Sequence, residues 1–388
     1  MAVRAQVGIV GAGPAGARAG ELLAGMGADV VMFDARAPWE KPCGGGLTAS
    51  AFDNIPDLAG VLTRAQRIDT VRLETQSTTL FVPLDRPLYI LSRTELAKWQ
   101  LDRAIAAGAA LERRNVRAIR KSENGWKLDL DNGESFAVSL LVGADGAASR
   151  VRAAVAPRLD VELEPTRVIF APGPGETPEQ MGLRFYPRVQ GYAWDFPRPD
   201  HRSIGIGIAA GTWSKPHMDA EVSRYCEDVG ANGHENFDRA GAVIGTAERP
   251  HGRNYALVGN DVYALLGDAA GFADPATGEG IQNAIRSADF LAEAFQRSRR
   301  FTKYPTIARK RLEPEFVIAR FVRRVLYSRN IANGLVDLAP RSPAAYALVH
   351  AIVNGGNEHD PMRLARVPAA WHRLRRDGVL PVAILNGR

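Results

Sequence analysis

Apolar and polar positions change period repeatedly along the chain, and each change marks an element. Residues 5–10, apolar or small apart from Gln6, read as a short buried strand. Residues 14–25, rich in Ala and Gly, predict a helix, and residues 29–33 (Asp-Val-Val-Met-Phe) predict a second buried strand. Together they make a βαβ opening. Residues 39–47 are too rich in Gly and Pro for regular structure. Residues 67–90 alternate in strand fashion, with Pro83 and Pro87 near their end, and residues 93–107 predict a helix. Residues 111–142 predict a β-meander, because Asn124-Gly125 and Asn132-Gly133 are hairpin signals between alternating runs. Its last strand, over 139–142, runs into Gly143-Ala144-Asp145-Gly146. A second β-rich block spans 165–210. A short apolar strand over 262–266 ends at Gly267-Asp268-Ala269-Ala270, a helix follows over about 280–297, and residues 301–388 read as mostly helical.

Composition narrows the class. The 388 residues are 46% hydrophobic and 24% charged, which suits a globular body of two or three domains and argues against disorder. The only cysteines are Cys43 and Cys226, so neither a disulfide framework nor a CxxC metal motif is present; a reducing cytoplasmic setting and no metal are expected. Arg4 and the apolar residues after it imitate a leader, but Arg18 and Glu21 interrupt them, and strand–turn–helix fits better. No run of 18 apolar residues predicts a membrane-spanning helix.

The net charge of +6 is unevenly spread. Residues 299–329 hold ten Lys and Arg against Glu313 and Glu315, interleaved with Phe316, Val317, Ile318, Phe321, Val322, Val325 and Leu326. Such a basic amphipathic segment suits peripheral contact with an anionic membrane or an arginine fork for a diphosphate, and equally an ordinary solvated helix face. No DNA- or RNA-binding motif accompanies it, so nucleic acid is not an expected partner.

The candidate chemistry begins at Gly11-Ala12-Gly13-Pro14-Ala15-Gly16, between the first strand and helix. Gly11 permits a tight turn, Gly13 lets the backbone approach a pyrophosphate, and Gly16 permits close helix–strand packing. The helix N-terminus offers free N–H groups to the phosphates. Asp34, 23 positions after Gly11 and followed by Ala35, stands where an acid accepts from a ribose hydroxyl. This predicts a bound dinucleotide without separating NAD from FAD. Two later segments, 143–152 and 267–281, each place an Asp (Asp145, Asp268) after an apolar strand; taken singly, each Asp also suits a helix N-cap.

These three segments in this order resemble the fingerprints of flavoproteins with the para-hydroxybenzoate hydroxylase fold. The resemblance implies FAD, with Asp268 on its ribose and Pro275, Gly278, Gly280 and Ile281 beside the flavin ring. It also implies cofactor roles for Pro14, Ala15, Val116, Asp145, Gly146 and Arg93, the last approaching the phosphates; a surface arginine is the other reading. Lys41-Pro42-Cys43-Gly44-Gly45-Gly46-Leu47 and Tyr192-Ala193-Trp194-Asp195-Phe196-Pro197 resemble elements of the geranylgeranyl reductase family. The resemblance covers roughly 5–300, and 301–388 carry no motif of that family.

It implies an α/β fold (α+β overall): a discontinuous Rossmann-like FAD-binding domain over 1–66, 91–160 and 250–300, an inserted β-rich substrate domain over 67–90 and 161–249, and a C-terminal helical region over 301–388. It further implies saturation of carbon–carbon double bonds in an isoprenoid lipid by hydride from reduced flavin, with NADPH or a ferredoxin-like protein as external donor. Cys43, with Gly44 and Gly45, would face the cofactor, since a thiol can donate or shuttle a proton; a small buried gap-filler is the plainer alternative. Tyr192 and Trp194 share one strand face with Phe196, and would border the alkene or be sheet core; Asp195 points to the other face. The rival functions are an FAD monooxygenase or halogenase of the same fold, and a flavin-containing lipid-binding or electron-carrying protein without turnover.

Overall fold

The computed structural model describes residues 5–246, 252–327 and 330–357. They divide into two units, the first comprising Met1–Lys41, Arg93–Leu163 and Val243–Phe316, the second Pro42–Ser92, Glu164–Ala242 and Val317–Arg388. Elements are numbered in chain order.

In the first unit, β1 (Ala5–Val10), α1 (Pro14–Gly25) and β2 (Val30–Phe33) form the expected βαβ opening. β2 pairs in parallel with β1 and with β6 (Ala110–Glu112). On the other side of β1 lies β9 (Ser135–Gly143), also parallel. The meander of β7 (Val116–Ser122), β8 (Gly125–Leu130) and β9 turns at the two Asn-Gly pairs. Gly125 and Gly133 take positive φ of 140° and 86°, which hairpin turns demand. β9 is shared along one edge: residues 135–138 pair with β8, and residues 141–143 pair in parallel with β15 (Tyr263–Leu265). Valines, leucines and isoleucines of these strands, buried on both faces, make the core with α1 and α7 (Ile281–Ser298). An Arg18–Asp289 ion pair at 2.8 Å joins the two helices. α3 (Arg93–Ala106) and the short α4 (Arg150–Val155) complete the unit, with part of α8 (Tyr304–Leu326).

In the second unit, β3 (Gly46–Leu47) and the paired β4 (Gln66–Glu74) and β5 (Thr79–Ile90) continue into β11 (Gln180–Arg184), β12 (Gly191–Pro197), β13 (His201–Ile208) and β10 (Glu162–Pro172). β14 (Asp238–Thr246) ends the eight-stranded sheet. α5 (Lys215–Asp228) covers one face around Ile204, Ile206 and Tyr225. α9 (Ile331–Leu338) and α10 (Pro343–Asn357) pack with Ile68, Val71, Leu88 and Ile90.

Two expectations about boundaries differ from this division. Residues 42–66 fall in the second unit, because Gly46 and Leu47 pair with Ile90 and Tyr89 of β5. The C-terminal helices form no separate region: α8 is shared, and α9 and α10 belong to the second core. β5 runs through Pro83 and Pro87 to Ile90, where the alternation was expected to end. Its open edge is satisfied by α10: Asn354 accepts from the Asp85 N–H at 2.7 Å and donates to the Pro83 carbonyl, and Asn357 donates to the Arg86 carbonyl at 2.8 Å. Prolines are tolerated on such an edge.

Candidate functional site

Register brings the first unit's motifs to one end of its sheet. Val10 lies opposite Phe33 and Gly143, and Gly143 lies opposite Leu265, so four parallel strands finish at one level. The glycine turn, Asp34, the Asp145 segment and the Asp268 segment each leave one of these carboxyl ends. Open α/β sheets bind ligands there, where the chain departs to either side of the first strand.

The three glycines differ in what surrounds them. Gly11 has φ of +94°, and a Cβ on it would run into the Ala144 carbonyl. A Cβ on Gly16 would run into the Gly11 carbonyl. Gly13 has nothing within 4 Å of its would-be Cβ, so it faces open space. Gly13 is also the N-cap of α1 and offers no side chain to the first-turn N–H groups, with Pro14 and the buried Ala15 following. An approachable backbone at an uncapped helix start fits a dinucleotide pyrophosphate. Asp34 accepts from the Ala12 N–H at 3.0 Å and from the N–H groups of Arg36 and Ala37, a turn that includes Ala35. Its carboxylate thereby ties the end of β2 to the glycine turn.

Asp145 does what an N-terminal capping residue does. It accepts from the Ser149 hydroxyl at 2.5 Å and from the N–H groups of Arg150 and Val151 at 2.7 and 3.2 Å. Burial pushes its carboxyl above the ordinary range, against the pull of these donors. Gly146 beside it takes φ of +80°. The Val116 side chain is core, and its carbonyl accepts from Arg150.

Asp268 pairs with Lys41 at 3.0 Å. Gly280 lies close beside it: a Cβ there would sit 2.8 Å from Asp268 Oδ1 and would push that carboxylate aside. The loop between them, with Pro275 and Gly278 (φ +72°), is folded by Asp274. The Asp274 carboxylate accepts from the Ala276 and Thr277 N–H groups and the Thr277 hydroxyl, at 2.8, 2.9 and 3.1 Å. The loop delivers the chain to α7, whose first residue is Ile281 and whose N-cap, Gly280, leaves the helix start without a side-chain cap. Arg93, buried at the start of α3, is set by Glu40, which accepts from the Arg93 and Thr94 N–H groups at 3.0 Å each and from the Thr94 hydroxyl at 3.1 Å.

In the second unit, Tyr192, Trp194 and Phe196 form a row along one face of β12, with successive ring centroids 6.4 Å apart. Gly205 on β13 makes room for the Trp194 ring, and Gly44 lies against Phe196 so closely that a Cβ would enter its ring. Asp195, on the other face, accepts from Arg202 at 2.9 and 2.5 Å and from Arg72 at 3.1 Å, a buried structural network. The carbonyl of Cys43 is the most heavily anchored atom of its loop: Arg198 donates to it at 2.7 Å and Ser203 at 3.0 Å. Gly45, with φ of +80°, accepts from the Leu91 N–H at 3.0 Å.

Sequence reasoning missed Glu40, Lys41, Arg198, Ser203 and Asp274. Asp274 carried a signal, an Asp-Pro-Ala-Thr turn in which the acid bonds its own backbone. Lys41 stood inside a quoted motif, but its partner is 227 positions away.

A family model described as an FAD binding domain matches residues 4–169. The chain is 28% identical to the menaquinone reductase of Mycolicibacterium smegmatis over 95% of this chain and 96% of that protein. It is 30% identical to the geranylgeranyl diphosphate reductase of Rhodobacter capsulatus over 74% of this chain and 73% of that one. Among solved structures, a geranylgeranyl bacteriochlorophyll reductase-like protein of Thermoplasma acidophilum superposes with a TM-score of 0.68 at 20% identity, covering 87% of this chain and 92% of its own. The cofactor is FAD, and the glycine turn and uncapped helix starts of the first unit fit it.

Proposed function

Since the chain belongs to the geranylgeranyl reductase family and is an FAD-dependent oxidoreductase, we propose that it saturates carbon–carbon double bonds in the isoprenoid chain of a lipid. The observation that carries this reading is the pairing of a thiol-bearing glycine loop with a row of three aromatic rings on one strand face. A polyprenyl chain presents only apolar surface and alkenes, and such a row offers it contact without polar groups demanding partners.

Reduced FAD supplies the hydride when bound. The chain's share is to hold the phosphates on the Gly11–Gly16 turn and to set Asp34 and Asp268 toward the riboses. Arg93 would approach the phosphates, and the loop from Pro275 to Ile281 would lie beside the ring. Tyr192 and Trp194 line the alkene, and Cys43 supplies or relays the second proton. The full-length match to a menaquinone reductase favours a prenylated quinone among the acceptors, beside geranylgeranyl diphosphate. NADPH and a ferredoxin-like protein are the two donors to be compared.

On the exposed face of α8, Val317 and Phe321 stand in solvent at 51% and 46% exposure, with Lys310 and Arg324 exposed before and after them. We read this stripe as a peripheral dock on an anionic membrane, where a lipid substrate resides.

The test is single turnover without oxygen. Enzyme reduced anaerobically reoxidises on mixing with geranylgeranyl diphosphate or a menaquinone, and the prenyl chain of the product, separated from any quinone head by fragmentation, gains two hydrogens per double bond by mass spectrometry. Cys43→Ala stays yellow with FAD and loses the product. Reduced enzyme that neither prenyl lipid reoxidises would mark a non-catalytic carrier. Substrate-stimulated oxygen consumption with a hydroxylated or halogenated product would assign the chain to the oxygen-using branch of the fold.

A further inference from the structure

The polar groups behind Cys43 have a use that the aromatic row does not explain. Arg198, directly after β12, is 0% exposed. Its Nη2 donates to the Cys43 carbonyl at 2.7 Å and reaches the Gly44 carbonyl at 3.3 Å. Its Nη1 meets His201 Nε2 at 2.8 Å. A guanidinium only donates, so Nε2 must be the acceptor and the ring proton sits on Nδ1, where it donates to Asp200 at 2.8 Å. Ser203 supplies the second link: its hydroxyl donates to the Cys43 carbonyl at 3.0 Å and accepts from the Trp194 indole N–H at 3.2 Å. One hydroxyl therefore joins the thiol's backbone to the middle ring of the row.

Burying a guanidinium is costly before its hydrogen bonds are counted, so its place needs a reason. Three consecutive glycines after Cys43 supply one, because they give that loop freedom that no side chain restrains. The clamp removes it on both sides, with Arg198 and Ser203 at Cys43 and the Gly45–Leu91 bond beyond.

We infer that Arg198, with Ser203, is a positioning residue: it fixes the Cys43 backbone, and so the thiol, against the Trp194–Phe196 end of the aromatic row. The catalytic consequence rests on the function proposed above; the positioning itself does not, and the test separates the two. Arg198→Met, Arg198→Lys and Ser203→Ala are prepared with FAD. Alkylation of Cys43 by iodoacetamide is timed by peptide mass spectrometry, and kcat and KM are measured for the prenyl acceptor. Loss of the charge-assisted bond in Arg198→Met should speed alkylation by at least about fivefold and lower kcat by roughly tenfold with KM little changed. Arg198→Lys recovers part of both. Ser203→Ala moves both in the same direction by less. Wild-type alkylation rates in an FAD-loaded Arg198→Met overturn the inference, whatever happens to kcat. Should that variant fail to fold, wild-type alkylation in Ser203→Ala overturns it instead. An enzyme inactive on every prenyl acceptor, yet with alkylation altered as expected, keeps the positioning and sinks the function.

Discussion

Cys43 and Cys226 divide the chain's two thiols between opposite surroundings. Cys226 is fully buried on α5, and burial pushes its thiol up to about 12, with Arg202 opposing. Cys43 is partly exposed on its clamped loop. At pH 8 the native protein should therefore release one equivalent of thiol to a disulfide reagent, from Cys43, and a second only on unfolding. Two fast equivalents in the folded state would contradict the burial. The sign of the linkage follows: a thiol raised above its unfolded value, about 8.5, stabilises the fold below that pH. That contribution is lost as pH rises from about 8.5 towards 12, so with Cys226 replaced by Ala the stability should fall less steeply over that alkaline range. At this scale the sequence named Cys43 but not what holds it. Arg198 and Ser203 lie 155 and 160 positions from Cys43, and no local pattern announces a bond to a distant carbonyl.

The glycine turn shows how much an element's chemistry can be read before its structure, and where the reading stops. Strand, turn, helix and acid were legible because all their constraints are local: β1 and α1 match their expected bounds, and Asp34 bonds the turn itself. The two glycines flanking Gly13 answer to the protein's own backbone, whereas Gly13 answers to nothing in it. Substitution should separate these roles. Gly13→Ala is expected to leave the melting temperature of the FAD-free protein within a degree or two, since its Cβ enters open space, while weakening FAD by roughly 1–3 kcal/mol where the pyrophosphate must approach. Gly16→Ala is expected to lower the melting temperature itself, because its Cβ would meet the Gly11 carbonyl. Equal loss of FAD-free stability in both would mean Gly13 is packed rather than presented. Less legible were the capping elements. Glu40 sets the start of α3 from 53 positions away, and Asn354 closes the β5 edge from 269 away, so neither helix start nor strand edge showed its partner in its own sequence.

At the scale of the whole molecule, the uneven charge is the feature still to be used. Part of the basic segment proves structural. Arg323 is buried against Glu164, and Arg299 donates to the Met26 carbonyl while lying over Phe295; Arg329 falls outside the described residues. What remains on the exposed face of α8 is narrower than the sequence suggested: two apolar side chains four residues apart, between cations. No described helix is long and apolar enough to cross a membrane. Each cation near an anionic surface contributes about 1 kcal/mol, and a partly buried Phe adds apolar contact that salt does not screen. The protein should therefore sediment with vesicles of phosphatidylcholine containing roughly one third phosphatidylglycerol, and weakly with phosphatidylcholine alone. Raising salt should weaken the binding without abolishing it, because the Val317–Phe321 contact persists when charge is screened. Phe321→Glu should abolish it while FAD content and melting temperature hold, since the ring is already in solvent. Undiminished sedimentation of that variant would move the docking surface elsewhere. Loss of turnover on vesicle-borne menaquinone, with turnover on detergent-dispersed menaquinone retained, would tie the α8 stripe to delivery of the lipid rather than to chemistry.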